Sequence, residues 1–281
     1  MQKPSMKIAI LGGGGRMGGA LIKAIHTDPS VTLKAVIVRK GSSLVGKDVG
    51  IFVGMSSIGV TFSDDISQAM HFIDGIIDFS SPEYTLESLG LSYKMGLVHI
   101  IGTTGFSDEE NESILSFARS VRIVKSGNMS LGINFMGCLV KMAAGYFPSK
   151  HWDFEILEMH HRRKVDAPSG TALLLGEAVA RGRHVNLSEN SVLNRHQESD
   201  IRREGSIGFA TLRGGSIVGE HSVLIAGEGE SLTLSHSAYD RSIFARGAIA
   251  AAMWAASKGA GLYSMQDVLG FQDSGFGTNE Q

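Results

Sequence analysis

The feature that most constrains this chain is a rhythm: over residues 7–130, short apolar runs alternate with stretches of helical periodicity. KIAIL is followed by a helical pattern at 17–26, and further apolar runs come at 33–38 (LKAVIV), 75–79 (GIIDF), 97–101 (LVHII) and 122–125 (RIVK). Short strands separated by helices build a parallel sheet with helices on both faces. Each predicted strand ends in small or polar residues: Gly12, Gly13, Gly14 and Gly15 after the first, then Arg39 and Lys40, then Ser80, Ser81 and Pro82, then Gly102, Thr103 and Thr104, and finally Ser126, Gly127 and Asn128. Sheets of this kind bind ligands at the carboxyl ends of their strands.

The pattern changes after a predicted helix over 131–147. A strand-like run, DFEILEM, enters the basic loop HHRRK, and the helical pattern ALLLGEAVARG follows Thr171. Residues 184–204 read as an exposed polar excursion. Three β-like runs then follow, SIGFATLR, SIVGEHSVLIA and SLTLSHSAY, with Gly214–Gly215 and GEGE at the turns of antiparallel strands. An Ala-rich helix over 243–257 is expected to return to the first domain. The expectation is therefore an α/β chain: a Rossmann-type doubly wound parallel sheet over 1–130, completed by 241–281, and a second α+β domain over 131–240 with a mixed or antiparallel sheet.

Composition narrows the function classes. With 26 basic and 28 acidic residues the net charge is −2, which offers no general attraction for nucleic acid or anionic lipid. No apolar run approaches the roughly 18 residues that span a bilayer, and the first ten residues lack the apolar core and cleavage site of a signal peptide. A cytoplasmic protein with no membrane or nucleic-acid partner is expected. Cys138 is the single cysteine and lies in the helical run NFMGCLVKMAAGYF, so it reads as a packed core thiol rather than a nucleophile. No metal site is expected.

GGGGRMGG satisfies both G-x-G-x-x-G at Gly13, Gly15 and Gly18 and G-x-x-G-x-x-G at Gly12, Gly15 and Gly18. Residues without Cβ atoms let backbone N–H groups approach a pyrophosphate, and the next helix aims its positive end at that charge. Where many NAD-binding chains place an acid to hold the ribose diol, this one has Val38 followed by Arg39 and Lys40. Two cations suit a 2′-phosphate, so NADPH is preferred and NADH is a possible substitute; the bland alternative is that both cations begin a solvated loop.

The run from His160 to Lys164 places two imidazoles and three fixed cations in five positions. A solvated charged turn would satisfy that run by itself. The residues Pro168, Ser169, Gly170 and Thr171, however, set the loop at a helix start, where free N–H donors can receive a carboxylate. Basic side chains gathered with such donors suit a small substrate carrying more than one carboxylate. His160 and Lys164 are the groups able to supply protons to a ring that accepts hydride. These residues do not choose among substrates.

The string EMHHRRKVDAPSGTA resembles the signature of the 4-hydroxy-tetrahydrodipicolinate reductase (dihydrodipicolinate reductase) family, and the likeness continues through KIAILGGGGRMG, HIIGTTGFS, GFATLRGGSIVGEHSV and SHSAYDRSIFARGAIAAAMW. The resemblance implies NAD(P)H-dependent reduction of 4-hydroxy-tetrahydrodipicolinate to tetrahydrodipicolinate with loss of water, on the diaminopimelate route to lysine. It implies His160 as proton donor or acceptor and Lys164 as second proton donor, with His161, Ser169, Gly170 and Thr171 on substrate carboxylate and Arg162 a further candidate. Arg163 is left to solvent. Gly12, Gly13, Gly14, Gly15, Arg16 and Met17, with Gly102, Thr103, Thr104, Ser126, Gly127, Asn128 and Met129, would line the cofactor, and Arg39 would meet the adenosine phosphate. It also implies a homotetramer formed through the second-domain sheets, with the β-runs at 206–239 as the pairing surface. Two departures stand out: Val38 replaces an acid found in many bacterial relatives, and Asn128-Met129-Ser130 replaces the family's Asn-Phe-Ser.

Overall fold

A computed structural model of the protein describes residues 5–195 and 201–271. The chain divides into two compact units, Met1–Leu131 with Arg241–Gln281, and Gly132–Asp240.

The first unit is built on a seven-stranded parallel sheet. In chain order its strands are β1 (Met6–Leu11), β2 (Val31–Ile37), β3 (Phe62–Ser63), β4 (Gly75–Asp78), β5 (Val98–Ile101) and β6 (Arg122–Lys125), and the strand Gly261–Tyr263 pairs with β6. In space β1 lies between β2 and β4, so the strand order reverses beside the glycine-rich loop that leaves β1. Both β4 and β5 are buried along their whole length, which is why they read as unbroken apolar runs rather than alternations. On β1, Ile8 and Ile10 enter one core cluster while Ala9 and Leu11 enter another, as the two-residue repeat of a strand requires when both faces are covered.

Local chemistry sets the helix ends. Ser81 caps the helix Pro82–Met95, whose first residue is proline, and Gly96 closes it in the left-handed region at φ 66°. Ser107 and Glu110 form a reciprocal capping box on the helix Asp108–Phe117. The Ala-rich helix runs over Ser242–Ala255 and buries Ala245, Ala248, Ala251, Ala252 and Ala255 in the same cluster as Leu21, Ile77 and Ile100. Its small residues permit close approach: a Cβ at Gly247 would stand 1.7 Å from the Met129 carbonyl oxygen.

The second unit carries a five-stranded mixed sheet in the order β11-β10-β7-β9-β8, comprising β7 (Asp153–His160), β8 (Ser191–Val192), β9 (Ile207–Arg213), β10 (Gly219–Ala226) and β11 (Ser231–Ala238). β10 runs antiparallel to both β7 and β11, whereas β9 runs parallel to β7 and β8. Phe154, Ile156, Phe209, Val223 and Ile225 pack with Val140, Leu175 and Val179, which belong to the helices Leu131–Tyr146 and Gly170–Arg183. Cys138 is a buried thiol in the first of these helices. The excursion expected over 184–204 supplies the short helix Leu187–Asn190 and the edge strand β8; residues 196–200, and the glycine-rich tail beyond Phe271, lie outside the described residues.

Gly247→Ala forces the helix Ser242–Ala255 away from Met129. Overpacking of this kind costs about 1–3 kcal/mol, and thermal unfolding of the variant is expected to show a correspondingly lowered Tm.

Candidate active site

After β1 the chain turns at Gly12, with φ +74°, and a Cβ there would lie 2.2 Å from the Phe79 carbonyl oxygen. A Cβ at Gly18 would strike the Gly13 backbone at 2.3 Å, so the helix Arg16–Thr27 lies directly on the loop that precedes it. Gly14, Gly15 and Arg16 are exposed. Gly15 is the N-cap of that helix and contributes no side-chain hydrogen bond, so backbone donors at the positive end of the helix face outward. Gly12 and Gly18 make the tight backbone packing, a Cβ at Gly13 would meet the Val36 side chain at 2.0 Å, and Gly15 is exposed, so no position in either glycine pattern but Gly15 stands open. The cradle fits a dinucleotide pyrophosphate: the closely packed positions have no room for a Cβ, the Gly15 N–H closes the turn on the Gly12 carbonyl at 3.1 Å, and Gly14 and Arg16 stand exposed at the helix start.

The other strand ends meet the same edge of the sheet. Val38 is buried, whereas Arg39 and Lys40 are exposed just beyond β2. Thr103 and Ser80 converge on Asp78, which lies at the end of β4: Ser80 Oγ donates to Asp78 Oδ1 at 2.5 Å and Thr103 Oγ1 at 3.2 Å. On its far side Asp78 meets His99 Nε2 at 3.4 Å, and His99 Nδ1 pairs with Ser92 Oγ at 2.9 Å. Burial opposes ionisation of Asp78, but the His99 contact and the Ser80 hydroxyl hold its carboxyl below the ordinary value. Thr104 and Gly127 are exposed just beyond β5 and β6, while Met129 is a core residue at 1% exposure. Arg241, absent from the sequence reading, is depressed by burial and by the charge of Arg16, so two guanidinium groups stand near the glycine loop.

In the second unit, β7 alternates faces so that Phe154, Ile156, Glu158 and His160 all point inward. The first two are core, and the last two turn the end of the same stripe polar. Glu158, 1% exposed, accepts from Arg213 Nη1 at 2.7 Å and Nη2 at 2.8 Å, from the Ser169 N–H at 3.0 Å and from Thr211 Oγ1 at 3.3 Å. His160 Nδ1 lies 2.5 Å from Glu158 Oε2. Burial would raise the Glu158 carboxyl, but Arg213 and His160 outweigh it and hold the group down at about 2. Burial lowers His160, aided by the charges of Lys164 and Arg213 and opposed by Glu158. Lys164, half-buried, pairs with Asp166 at 2.8 Å, and Arg213 also donates to the Asp166 carbonyl at 2.7 Å.

The helix Gly170–Arg183 starts beside this cluster. Ser169 is its N-cap: its Oγ accepts from the Ala172 N–H at 3.1 Å and pairs with His221 Nε2 at 3.0 Å. Ser169 is 1% exposed, so its side chain orders the helix start from beneath, while Gly170 is exposed and Thr171 half-exposed above it. His161 Nδ1 is buried without a hydrogen-bond partner among the described residues. Arg162 and Arg163 are exposed. The structure thus gathers His160, Ser169 and Arg213 around the Glu158 carboxylate, pairs Lys164 with Asp166 beside them, and leaves Arg162 and Arg163 exposed.

Glu158, Arg213 and His221 were missed as site residues. A signal existed for Glu158, which precedes His160 by two positions and so shares its face. None existed for Arg213, which is brought alongside by the parallel register that pairs it with His160.

A doubly wound sheet with a glycine cradle at its switch point, joined in one chain to a basic loop at a helix start, defines a nicotinamide-dinucleotide oxidoreductase of the two-unit Rossmann class. The family models described as dihydrodipicolinate reductase, N-terminus and C-terminus, match residues 6–129 and 132–269. The chain belongs to the dihydrodipicolinate reductase family. It is 54% identical to the 4-hydroxy-tetrahydrodipicolinate reductase of Rhizobium meliloti over 96% of this chain and 99% of that one, and 53% identical to that of Brucella abortus over 94% and 99%. Among solved structures, a dipicolinate-bound dihydrodipicolinate reductase from Paenisporosarcina sp. TG-14 shares the fold with a TM-score of 0.75 at 24% identity, covering 94% of this chain and 99% of that one.

His221 is pushed down to about 4, chiefly by burial and then by the charge of His160. Below pH 6.5 the unfolded chain takes up a proton that the folded one refuses, so stability is expected to fall as pH drops from 6.5 to 4. The loss is up to about 3 kcal/mol for a group shifted this far. His160 and His236 are lowered in the same direction, so His221→Gln should flatten part of the slope in urea unfolding measured across that range.

Proposed function

We propose that this chain is the 4-hydroxy-tetrahydrodipicolinate reductase of lysine biosynthesis via diaminopimelate, reducing its substrate to tetrahydrodipicolinate with loss of water. The observation that carries the reading is the clamped His160 near Lys164 at the start of the helix Gly170–Arg183, in a chain that matches reductases of that name along nearly its full length. The dinucleotide, when bound, supplies the hydride. The residues of this chain bind and move protons: His160 and Lys164 exchange them with the ring, while His161 and the amides at Gly170 and Thr171 hold carboxylate. Gly12, Gly13, Gly14, Gly15, Arg16, Thr104 and Gly127 line the cofactor.

NADPH is the preferred donor in this reading. Val38 presents an apolar side chain where an acid would hold a ribose diol, and Arg39 and Lys40 are exposed without ion-pair partners among the described residues. A homotetramer joined through the second-unit sheets is supported by the face opposite the helices, where Leu212 and Leu224 are exposed and Leu157 and Met159 are only half-buried. A cytoplasmic location is consistent with a chain in which no helix among the described residues is long and apolar enough to cross a membrane. An acylating dehydrogenase is the competing oxidoreductase, and it would need a poised thiol where this chain has only buried Cys138.

The test is to mix the protein with NADPH and freshly generated synthase product and follow loss of nicotinamide absorbance. Turnover is expected; its absence where a known reductase works removes the assignment. His160→Ala and Lys164→Ala should each lower turnover by about 100-fold or more, the usual worth of a positioned acid or base, with NADPH binding retained. Arg39→Ala should cost NADPH about 1.5 kcal/mol or more, the worth of a hydrogen bond to a charged group, and NADH little. Equal losses for the two dinucleotides, measured by titration, would remove Arg39 from the phosphate site.

A further inference from the structure

Glu158 has a consequence for which way protons move. A carboxylate held ionised can only accept hydrogen bonds, so the proton in its 2.5 Å contact with His160 belongs to Nδ1. The carboxylate has no freedom to turn away: the Arg213 fork grips both oxygens, and the Ser169 N–H and Thr211 hydroxyl complete the shell, with Arg213 and Thr211 on β9 and Ser169 at the start of the helix Gly170–Arg183. The charged groups facing the imidazole are Glu158 on β7, Arg213 on β9 and Lys164 on the loop, with neutral His221 on β10 at a ring-centroid distance of 5.1 Å. Burial and the two cations keep the ring neutral, which leaves Nε2 with its lone pair. Nε2 borders Gly219, where a Cβ would stand only 3.1 Å away.

We propose that Glu158, clamped by Arg213, is a positioning residue that makes His160 the proton acceptor of the loop through Nε2 and leaves Lys164 as its donor. This rests on the reductase reading above. In a cyclic imine with a hydroxyl two carbons from the C=N carbon, the intervening carbon carries acidic hydrogens. One of these protons passes to His160 Nε2, and the electron pair of the broken C–H bond forms C=C. The C–O bond breaks, and Lys164 Nζ protonates the departing oxygen to give water. Glu158 stabilises the imidazolium so formed, as a buried carboxylate behind a catalytic imidazole does. Once the ring has been reduced, the imidazolium returns its proton to the same carbon, and Lys164 regains one from solvent.

The test begins with the unaltered protein labelled with 15N. Long-range proton–nitrogen correlation at neutral pH should show His160 with a pyrrole-like Nδ1 and a pyridine-like Nε2. The opposite tautomer, or an imidazolium through neutral pH, overturns the proposal whether or not any variant folds. Glu158→Gln should then lose the single tautomer and lower kcat by about 10-fold or more, about 10⁴-fold being the loss seen when a carboxylate that fixes a catalytic imidazole's tautomer becomes an amide, with KM for NADPH unchanged and the pH profile displaced. A variant that melts earlier but keeps the tautomer, kcat and pH profile would show that the clamp only braces the loop, and the proposal falls. Turnover without the expected tautomer sinks the proposal alone; the tautomer without turnover sinks the reductase reading instead.

Discussion

A carboxylate at 1% exposure must be compensated on every side, and much of the second unit is arranged around compensating Glu158. Removing a charge from water costs several kcal/mol unless partners replace its hydration. Here the replacements come from β9 through Arg213 and Thr211, from β7 through His160, and from the start of the helix Gly170–Arg183 through the Ser169 N–H. These partners require β7 and β9 to lie side by side in parallel, with His160 opposite Arg213, and the helix to start at the end of the same sheet. Register, crossover and loop conformation thus all converge on one buried charge.

The first unit answers a different constraint, the exclusion of side chains. Gly12, Gly18 and Gly247 are each pressed against backbone at distances no Cβ tolerates, so the glycine loop, the helix after it and the Ala-rich helix can lie flush with the sheet. The polar groups buried there are joined in a chain from Ser92 through His99 and Asp78 to Ser80 and Thr103. That chain ties the ends of β4 and β5 together. The strand ends carry small residues together with the exposed cations Arg16, Arg39 and Lys40, which suits a ligand read mainly through phosphate contacts.

The two units are built in different ways. The first exposes small residues and a helix start at the glycine loop, whereas the second gathers side chains whose ionisation is set individually. Glu158 is held down by Arg213, and His160 and His221 are held neutral by burial and neighbouring charge. Both the carboxylate at about 2 and the imidazole at about 4 stand below their ordinary values, and for opposite reasons: cation and hydrogen-bond partners favour the charged form of Glu158, whereas burial disfavours the charged form of His221.

Much of this was legible in the residues themselves. Strand periodicity marked the parallel sheet because fully buried strands read as apolar runs, and GGGGRMGG marked the cradle because only glycine permits such backbone contact. The basic loop announced itself because three fixed cations within five positions cannot all enter a core, although the fold does bury His160 at the end of β7. The short edge strands β3, β8 and Gly261–Tyr263 carried too few residues for a period to emerge. Ser169 read as a ligand of substrate, yet its neighbours bury it as the helix cap. Above all, the sequence by itself determined which residues are able to bind an anion and carry protons, since that depends on residue type and local spacing. Which of them are ionised, and which ring nitrogen holds the proton, was decided only by tertiary structure: Glu158 and Arg213 are 55 positions apart, and a charge–charge contact depends on distance in space, which no local pattern encodes.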